Sequence, residues 1–246
     1  MREAILVFGA TSAIAHAINR LYAGQSATFV LVGRDEEKLI ANAKDLRARG
    51  AAKVVTLTAD FIDLGQHAHL VAAAMAELER LDVVVIAHGM LPAQAGWETD
   101  PEQLRVAIDT NFTSVASLAN AASRPLAAQR SGSLVVIGSV AGDRGRVANY
   151  LYGGAKAGIA VFLQGLRARL RPQGVHVLTV KPGLVDTPMT AGFSKGLLWA
   201  APERVAAATR AAIAHRRDVV YIPWFWRPIM AVIRALPSAI LERLKI

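Results

Sequence analysis

The 246-residue chain contains no cysteine. Disulfide bonds and cysteine-ligated metals are therefore excluded, and the absence is compatible with a reducing compartment such as the cytoplasm. Six histidines are scattered along the chain. The one close pair, His67 and His69, has no third ligand nearby in the sequence, so we expect both at the surface and predict no metal site.

Long apolar runs are also missing. Residues 4–8 are apolar, but Gly9 follows at once, so no secretory signal peptide is predicted. No run reaches the roughly 18 apolar residues that a membrane-spanning helix needs. The formal net charge is +9, but no basic stretch is interleaved with aromatics, so we expect no nucleic-acid partner. The charge favours a phosphorylated cofactor or an anionic membrane surface instead.

Glycine is scarce in the turn that follows the first apolar run. Gly9 is present, but alanines occupy the later positions 13 and 15. A glycine turn that leads from a strand into a helix brings backbone N–H groups and the positive helix end to a pyrophosphate. Alanine narrows this approach only mildly, and the last position chiefly serves packing.

Apolar strand patterns alternate with helical patterns along most of the chain. Strands are predicted at 4–8, 28–32, 54–58, 83–87, 134–138, 176–180 and 219–222, with helices between them, including one long helix at 101–129 that is kinked near Pro125. This order predicts an α/β fold: a single Rossmann-type, doubly wound parallel sheet with helices on both faces. We assign residues 1–222 to this domain and 223–246 to a C-terminal amphipathic extension.

Ligands bind such a sheet beyond the carboxyl ends of its strands. Arg34 follows the second strand, where the ribose of a dinucleotide would lie, and its charge suits a 2′-phosphate. We therefore predict NADP, with NAD as the alternative. The alternative interpretation is an exposed Arg34 that pairs with Glu36 or Glu37. Asp60, after the third strand, is expected to accept a hydrogen bond from the adenine.

Tyr152 and Lys156 lie four residues apart in a helical pattern, so their side chains share one face. A nearby ammonium favours the phenolate, and we expect Lys156 to lower the pKa of Tyr152 toward working pH. Ser139 ends the strand that precedes this helix. Together these residues indicate general acid–base chemistry beside a ligand.

In this order and spacing, the pieces resemble the short-chain dehydrogenase/reductase family from Ala4 to Ile222. The motifs that carry the resemblance are the Gly9 turn, Asp60, Ala87-His88-Gly89, Asn111, Ser139, Tyr152-x-x-x-Lys156 and Lys181 to Thr187. Two motifs depart from the family pattern, since Ala13 and Ala15 replace glycines and Ala87-His88-Gly89 replaces Asn-Ala-Gly.

The resemblance implies an NAD(P)H-dependent reductase of ketones. Tyr152 would be the acid/base, Lys156 would lower its pKa and bind the nicotinamide ribose, Ser139 would polarise the carbonyl, and Asn111 would sustain a proton relay. The implied cofactor-binding positions are Gly9, Thr11, Ser12, Ala13, Ile14, Arg34, Asp60, Phe61, Ala87, Gly89, Tyr152, Lys156, Pro182, Gly183, Val185 and Thr187. Family members commonly assemble as homodimers or homotetramers, which is the expectation here.

The tail beyond residue 222 is aromatic, apolar and basic. Trp224 and Trp226 precede a helical pattern whose apolar face includes Met230 and Val232, with arginines beside it. Such a segment can lie in a membrane interface with its tryptophans at headgroup depth. Packing on its own domain, or across a dimer, is an equally open interpretation.

The tail and the segments 139–146 and 152–158 also resemble a narrower group, the reductases of polyprenyl-phosphate-linked 2-keto-pentose. That resemblance implies a lipid-linked ketone substrate and a cytoplasmic enzyme held peripherally at the inner face of the cell membrane. We predict that Arg144 or Arg146 contacts the substrate phosphate and that Trp199, in the loop 187–201, covers the substrate. The alternatives are a soluble reductase of small ketone or acyl substrates and a nucleotide-binding redox sensor or scaffold.

Overall fold

The structure, a computed structural model, describes residues 2–92 and 98–241. The strands are β1 Ala4–Phe8, β2 Thr28–Gly33, β3 Lys53–Thr58, β4 Val83–Ile86, β5 Ser133–Ile137, β6 His176–Pro182, β7 Leu184–Val185, β8 Trp199–Ala200 and β9 Val219–Ile222. The helices are α1 Ala13–Ala23, α2 Glu36–Ala48, α3 His67–Leu78, α4 Pro101–Ile108, α5 Ser114–Gln129, α6 Tyr150–Leu170, α7 Pro202–Ala214, α8 Trp226–Ala235 and α9 Ser238–Leu241.

Seven strands form one parallel sheet in the order β3-β2-β1-β4-β5-β6-β9. Strand β1 shows why its sequence is apolar throughout. Ile5 and Val7 belong to the core under α1, whereas Leu6 and Phe8 belong to the core under α3 and α5. Alternate residues of a strand point to opposite faces, so a strand covered on both faces needs apolar residues at every position. The predicted doubly wound α/β fold is confirmed.

The strand order reverses between β1 and β4, and a crevice opens there beyond the carboxyl ends of the strands. A second, two-stranded sheet joins β7 to β8 next to this crevice, pairing Leu184 with Trp199. These two features place the candidate site at one rim of the sheet.

The predicted long helix at 101–129 is divided differently from the expectation. A π-helical turn, Asp109–Thr113, separates α4 from α5, while Pro125 lies within α5. Asn111, inside this turn, is fully buried, and its amide donates to the carbonyls of Met90 and Ala107 and accepts from Met90 N–H. Turns of this kind often occur at functional sites, and here the Asn111 side chain ties the turn to the segment after β4.

Two glycines let α6 approach the turn that follows Ser139. A Cβ at Gly142 would lie 2.6 Å from the carbonyl carbon of Lys156, and one at Gly153 would lie 2.9 Å from the carbonyl oxygen of Ala141. Only hydrogen fits at these two positions. The first turns of α6, which carry Tyr152 and Lys156, therefore rest directly on the loop after β5.

A buried ion pair fastens the same loop to the edge of the sheet. Lys181 pairs with Asp143, whose side chain is 2% exposed, and Tyr221 donates a hydrogen bond of 2.7 Å to the same carboxylate. Asp143 belongs to the loop after β5, Lys181 to β6 and Tyr221 to β9. The three side chains thus hold the loop in register with the ends of two strands.

The tail packs one face on its own domain. Trp226 and Met230 are buried against Val140, whereas Trp224 is 73% exposed and Val232 is 63% exposed. The packed face agrees with one of the two interpretations left open by the sequence, and the exposed residues leave the other untested. None of the helices within the described residues is long and apolar enough to cross a membrane.

Replacing Lys181 by methionine is expected to lower the free energy of unfolding by about 3 kcal/mol, because it leaves the buried Asp143 carboxylate without its counter-ion. Urea denaturation measures the effect. The matched control is Lys195→Met, which breaks the exposed pair with Asp186 and should cost less than about 1 kcal/mol. Equal effects of the two substitutions would contradict the structural role of the buried pair.

Candidate active site

A cleft of about 540 Å³ opens at the carboxyl ends of the strands. It brings together most of the residues singled out by the sequence. The predicted residues that line it are Gly9, Thr11, Ser12, Ala13, Ile14, Arg34, Asp60, Phe61, Ala87, Gly89, Ser139, Arg146, Tyr152, Lys156, Pro182, Gly183, Val185 and Thr187. Asn111, Arg144 and Trp199 are absent from the lining.

The turn after β1 packs closely on the segment after β4 and leads into the N-terminus of α1. Gly9 has a φ of +76°, and a Cβ there would lie 2.5 Å from His88 N. Ser12 caps α1 without a side-chain hydrogen bond, and no acidic residue lies in the first turn of α1. This helix end is therefore open to an anion. Ala13 lines the cleft, while Ala15 is buried in the core, as expected for a position that serves packing.

The end of β2 carries two cations. Arg34 is exposed, lines the cleft and has no ion pair with Glu36 or Glu37 among the described residues. Lys38, which the sequence analysis did not single out, also lines the cleft and pairs with Asp35 at 2.7 Å. Asp35 is the N-cap of α2 and accepts a hydrogen bond from Lys38 N–H. Arg34 is thus available to a ligand.

His88 is a polar group that the sequence analysis passed over. Its ring lies 4.5 Å from that of Phe61, and its Nε2 is 2.8 Å from Ser114 Oγ. Because Ser114 Oγ donates to Thr110 O, Nε2 carries the proton and Nδ1 is an acceptor. Burial, with Lys156 nearby, lowers the pKa of His88 to about 3, so the ring is neutral. Its buried Nδ1 has no partner among the described residues.

Another histidine differs from expectation. His67 is buried rather than at the surface, with its ring nitrogens 2.9 Å from Ser117 Oγ and 3.0 Å from Phe61 O. Ser117 is distant in the sequence, so the pattern around His67 gives no sign of this partner. The contact holds the Phe61 backbone in place under the cleft. Asp60 lines the cleft and accepts a hydrogen bond from Ile62 N–H.

The opposite wall of the cleft carries a hydroxyl, a phenol and an ammonium. Ser139 Oγ accepts from Ala141 N–H at 3.1 Å and shares a hydrogen bond with the Tyr152 hydroxyl. Lys156 is 4% exposed, donates to Ile137 O at 3.2 Å and lies 5.6 Å from the centre of the Tyr152 ring. The helical spacing thus brings the pair together as predicted.

The pKa of Tyr152 differs from the sequence-based prediction. Burial raises it, and the hydrogen bond from Ser139 opposes the rise only in part. Burial also lowers the pKa of Lys156 to about 8. Lysine therefore loses its proton before the phenol titrates, and no cation remains to favour the phenolate. At neutral pH this wall of the cleft therefore carries the protonated phenol of Tyr152 beside the Lys156 ammonium, whose pKa is lower than usual.

The three residues predicted to contact the substrate lie in different surroundings. Arg146 lines the cleft, whereas Arg144 turns away and donates to Ser238 Oγ at 3.2 Å and to Leu236 O. Trp199 is only partly buried and pairs through its backbone with Leu184, outside the cleft lining. Two other residues of the loop 187–201, Met189 and Phe193, line the cleft instead of Trp199. Two residues missed by the sequence analysis, Asn149 and Trp226, also line the cleft.

Comparison with known proteins agrees with this geometry. The sequence profile described as short chain dehydrogenase matches residues 3–197. The chain belongs to the short-chain dehydrogenase family. An uncharacterized oxidoreductase of Mycobacterium tuberculosis is 40% identical over 241 residues, covering 98% of this chain and 96% of the relative. The 3-oxoacyl-(acyl-carrier-protein) reductase of Chlamydia muridarum is 31% identical over 197 residues, covering 80% and 79%.

A solved structure supports the same fold. A variant of actinorhodin polyketide ketoreductase, crystallised with NADPH, matches with a TM-score of 0.80 over 90% of this chain and 95% of that one, at 24% identity. The protein is thus an oxidoreductase of the NAD(P)-dependent short-chain family. The residues present fit a nicotinamide dinucleotide, because the N-terminus of α1 opens into the cleft without an acidic residue in its first turn and His88 Nδ1 is a buried acceptor without a partner among the described residues.

Replacing Lys156 by methionine is expected to stabilise the fold while it removes a functional group. Unfolded lysine stays protonated up to its ordinary pKa of 10.5, whereas folded Lys156 loses its proton near 8. Its unfavourable contribution is therefore complete below about pH 8 and disappears as the pH rises toward 10.5. The gain at pH 7 should be on the order of 3 kcal/mol, and it should fall by more than half at pH 9.5.

Urea denaturation of the wild type and Lys156→Met at both pH values measures this gain. Lys44→Met, at an exposed position of α2, serves as the control and should change stability little at either pH. A destabilised Lys156→Met protein at pH 7 would contradict the cost assigned to the buried ammonium.

Proposed function

We propose that this protein reduces a ketone to a secondary alcohol with NADPH, and that Tyr152 supplies the proton. The observation that carries the proposal is the convergence of Ser139, Tyr152 and Lys156 in the same cleft as the turn at Gly9. A redox sensor or scaffold would need only the nucleotide half of the cleft. A buried ammonium that costs stability is better explained by catalysis.

When bound, a reduced nicotinamide supplies a hydride to the carbonyl carbon. Ser139 Oγ donates a hydrogen bond to the carbonyl oxygen and orients it. The Tyr152 hydroxyl gives its proton to that oxygen as negative charge develops there. Because burial raises the pKa of Tyr152, the phenol keeps its proton at neutral pH, which suits the direction of reduction.

Lys156 restores the proton of Tyr152 after turnover. Its ammonium is more acidic than the phenol, so the transfer of a proton to the phenolate is favourable. Asn111 affects this proton transfer indirectly, by fixing the π turn, because its side-chain amide is hydrogen-bonded to the backbone of Met90 and Ala107. Assembly as a homodimer or homotetramer stays a prediction of the family resemblance.

The cofactor is proposed to be NADPH rather than NADH because Arg34 lies at the end of β2 without an ion pair among the described residues. A guanidinium in this position is suited to a ribose 2′-phosphate. Lys38 adds a second cation at the same end of the cleft. The ketoreductase with the similar fold was crystallised with NADPH, which is in keeping with this choice.

Arg34→Ala is expected to weaken NADPH binding about 10- to 100-fold, the effect of losing a charge-assisted hydrogen bond, and to leave NADH binding within about twofold. Cofactor fluorescence titrations measure both. Arg49→Ala, which removes an exposed cation paired with Asp45 at the far end of α2, is the control. An equal loss for both cofactors would argue against recognition of the 2′-phosphate.

For the substrate we propose a polyprenyl-phosphate-linked 2-keto-pentose. Arg146 brings a cation to the cleft, and its buried Nε has no partner among the described residues. Burial lowers its pKa, a sign that the charge is poorly solvated and gains from an anion. Met189 and Phe193 offer an apolar cover that suits a prenyl chain.

A second candidate substrate is a 3-oxoacyl thioester. It is favoured by the similarity to the 3-oxoacyl-(acyl-carrier-protein) reductase of Chlamydia muridarum. The same apolar cover would suit an acyl chain. In this case Arg146 would have no substrate phosphate to contact near the ketone, so the two candidates predict different roles for that residue.

Arg146→Gln should raise the KM for farnesyl-phosphoryl 2-keto-pentose about tenfold and leave the KM of an uncharged ketone unchanged, because only the first substrate offers an anion. NADPH oxidation at 340 nm is the measurement. Arg144→Gln, two residues away but turned toward Ser238, is the matched control. If the 3-oxoacyl thioester supports NADPH oxidation and the keto-pentose lipid does not, the second candidate substrate replaces the first.

A lipid-linked substrate also requires contact with a membrane surface. We propose that the exposed Trp224, Val232 and Ile240 supply it, with the neighbouring arginines against anionic lipid. Removing the whole tail would also remove Trp226 and Met230 from the core, so point changes are the better test.

Trp224→Gln combined with Val232→Asp should abolish flotation with vesicles of phosphatidylglycerol and phosphatidylcholine while leaving the melting temperature within a few degrees. Val161→Asp, at an exposed apolar position of α6, is the control. Wild-type protein that remains at the bottom of the gradient would contradict membrane contact through the tail.

A further inference from the structure

The C-terminal helix α8 brings an indole to the substrate side of the cleft. Trp226 is 7% exposed, packs on Val140 and Met230, and lines the cleft. A Cβ added at Gly183 would overlap its Nε1, so the indole edge lies directly against the turn after β6. Trp226 therefore contacts two segments: the turn after β6, at Gly183, and the loop after β5, where Val140 immediately follows Ser139.

The indole N–H of Trp226 has no hydrogen-bond partner among the described residues, although it is buried. Buried indole N–H groups are nearly always bonded, and an unmade bond costs free energy. Glycine at position 183 makes room for the indole ring, whereas any larger residue would displace it. The indole edge that carries the unpartnered N–H thus lies against the turn after β6, whose Pro182 and Gly183 also line the cleft.

Two further unpartnered polar atoms line the same cleft. They are the buried Arg146 Nε and Asn149 Oδ1, both from the loop between β5 and α6. Two donors and one acceptor from separate segments suit a ligand that carries several oxygens, such as a sugar, better than a plain hydrocarbon ketone.

We propose that Trp226 is a substrate-binding residue, whose indole N–H donates a hydrogen bond to a hydroxyl oxygen next to the ketone, so that α8 sets specificity for hydroxylated ketones. This inference rests on the proposed reductase function and deepens it. Trp226 packs on Val140, which directly follows Ser139, so the indole and the residue that orients the carbonyl lie in the lining of one cleft.

The first test reads the indole directly. In ¹⁵N-labelled full-length protein, the four indole signals are assigned with the Trp97→Phe, Trp199→Phe and Trp224→Phe variants, which identifies the Trp226 signal by elimination. Saturation with NADP⁺ gives the reference position of that signal, because Gly183, against which the indole lies, is one of the implied cofactor-binding positions. Subsequent addition of farnesyl-phosphoryl 2-keto-pentose should shift it downfield, as a new hydrogen bond requires.

The second test is kinetic. Trp226→Phe keeps the ring against Val140 but deletes the N–H, so the KM for the keto-pentose lipid should rise about five- to tenfold with kcat within twofold. The KM for a 3-oxoacyl N-acetylcysteamine thioester, which lacks the hydroxyls, and the Kd for NADPH should stay within twofold. Val161→Ala, at an exposed apolar position of α6, is the control and should change none of these values.

Two results would overturn the inference. They are a Trp226 signal that no ketone moves from its reference position with NADP⁺, and a Trp226→Phe enzyme with an unchanged KM for the keto-pentose lipid. Failure of the proposed function is a separate outcome, seen as no NADPH oxidation by wild-type enzyme with either ketone. The indole signal reports ligand contact in both cases.

Discussion

The site depends on the burial of one ammonium group. Lys156 lies inside the domain, where Ile137 O is its one hydrogen-bond partner among the described residues, and burial lowers its pKa to about 8. Burial of an unpaired ammonium destabilises the fold, and groups with such shifted pKa values are concentrated at functional sites. The close approach that buries it requires glycine at positions 142 and 153, where any side chain would collide with the facing backbone. The resulting wall keeps a protonated phenol next to a more acidic ammonium.

Contacts between distant segments keep this wall in register with the nucleotide half. The Asp143–Lys181–Tyr221 cluster fixes the loop after β5 against β6 and β9, and Asn111 fixes the π turn against the segment after β4. His88 ties the end of β4 to the same turn through Ser114. The family's glycines and asparagine are replaced at positions 13, 15 and 87, yet the cleft keeps both its phosphate turn and its polar wall.

Local pattern was enough to predict the sheet, the turn at Gly9 and the meeting of Tyr152 with Lys156, because continuous apolar runs mark buried strands, glycine marks the turn and residues four apart share one helix face. It failed where a partner lies far along the chain. The burial of His67 depends on Ser117, and the outward turn of Arg144 depends on Ser238. The sequence pattern predicts Trp226 at a membrane interface, and only the contacts with Val140 and Gly183 show that it is buried in its own domain. The pKa of Tyr152 follows from desolvation, which spacing alone does not reveal.

The most direct test of the proton-donor role is a single-turnover experiment on Tyr152→Phe. Enzyme saturated with NADPH is mixed rapidly with farnesyl-phosphoryl 2-keto-pentose or the 3-oxoacyl thioester, and the loss of absorbance at 340 nm gives the rate of hydride transfer. The account predicts a rate at least about 100-fold below that of the wild type, with the Kd for NADPH unchanged within a few-fold. Hydride transfer at nearly the wild-type rate in Tyr152→Phe would contradict it.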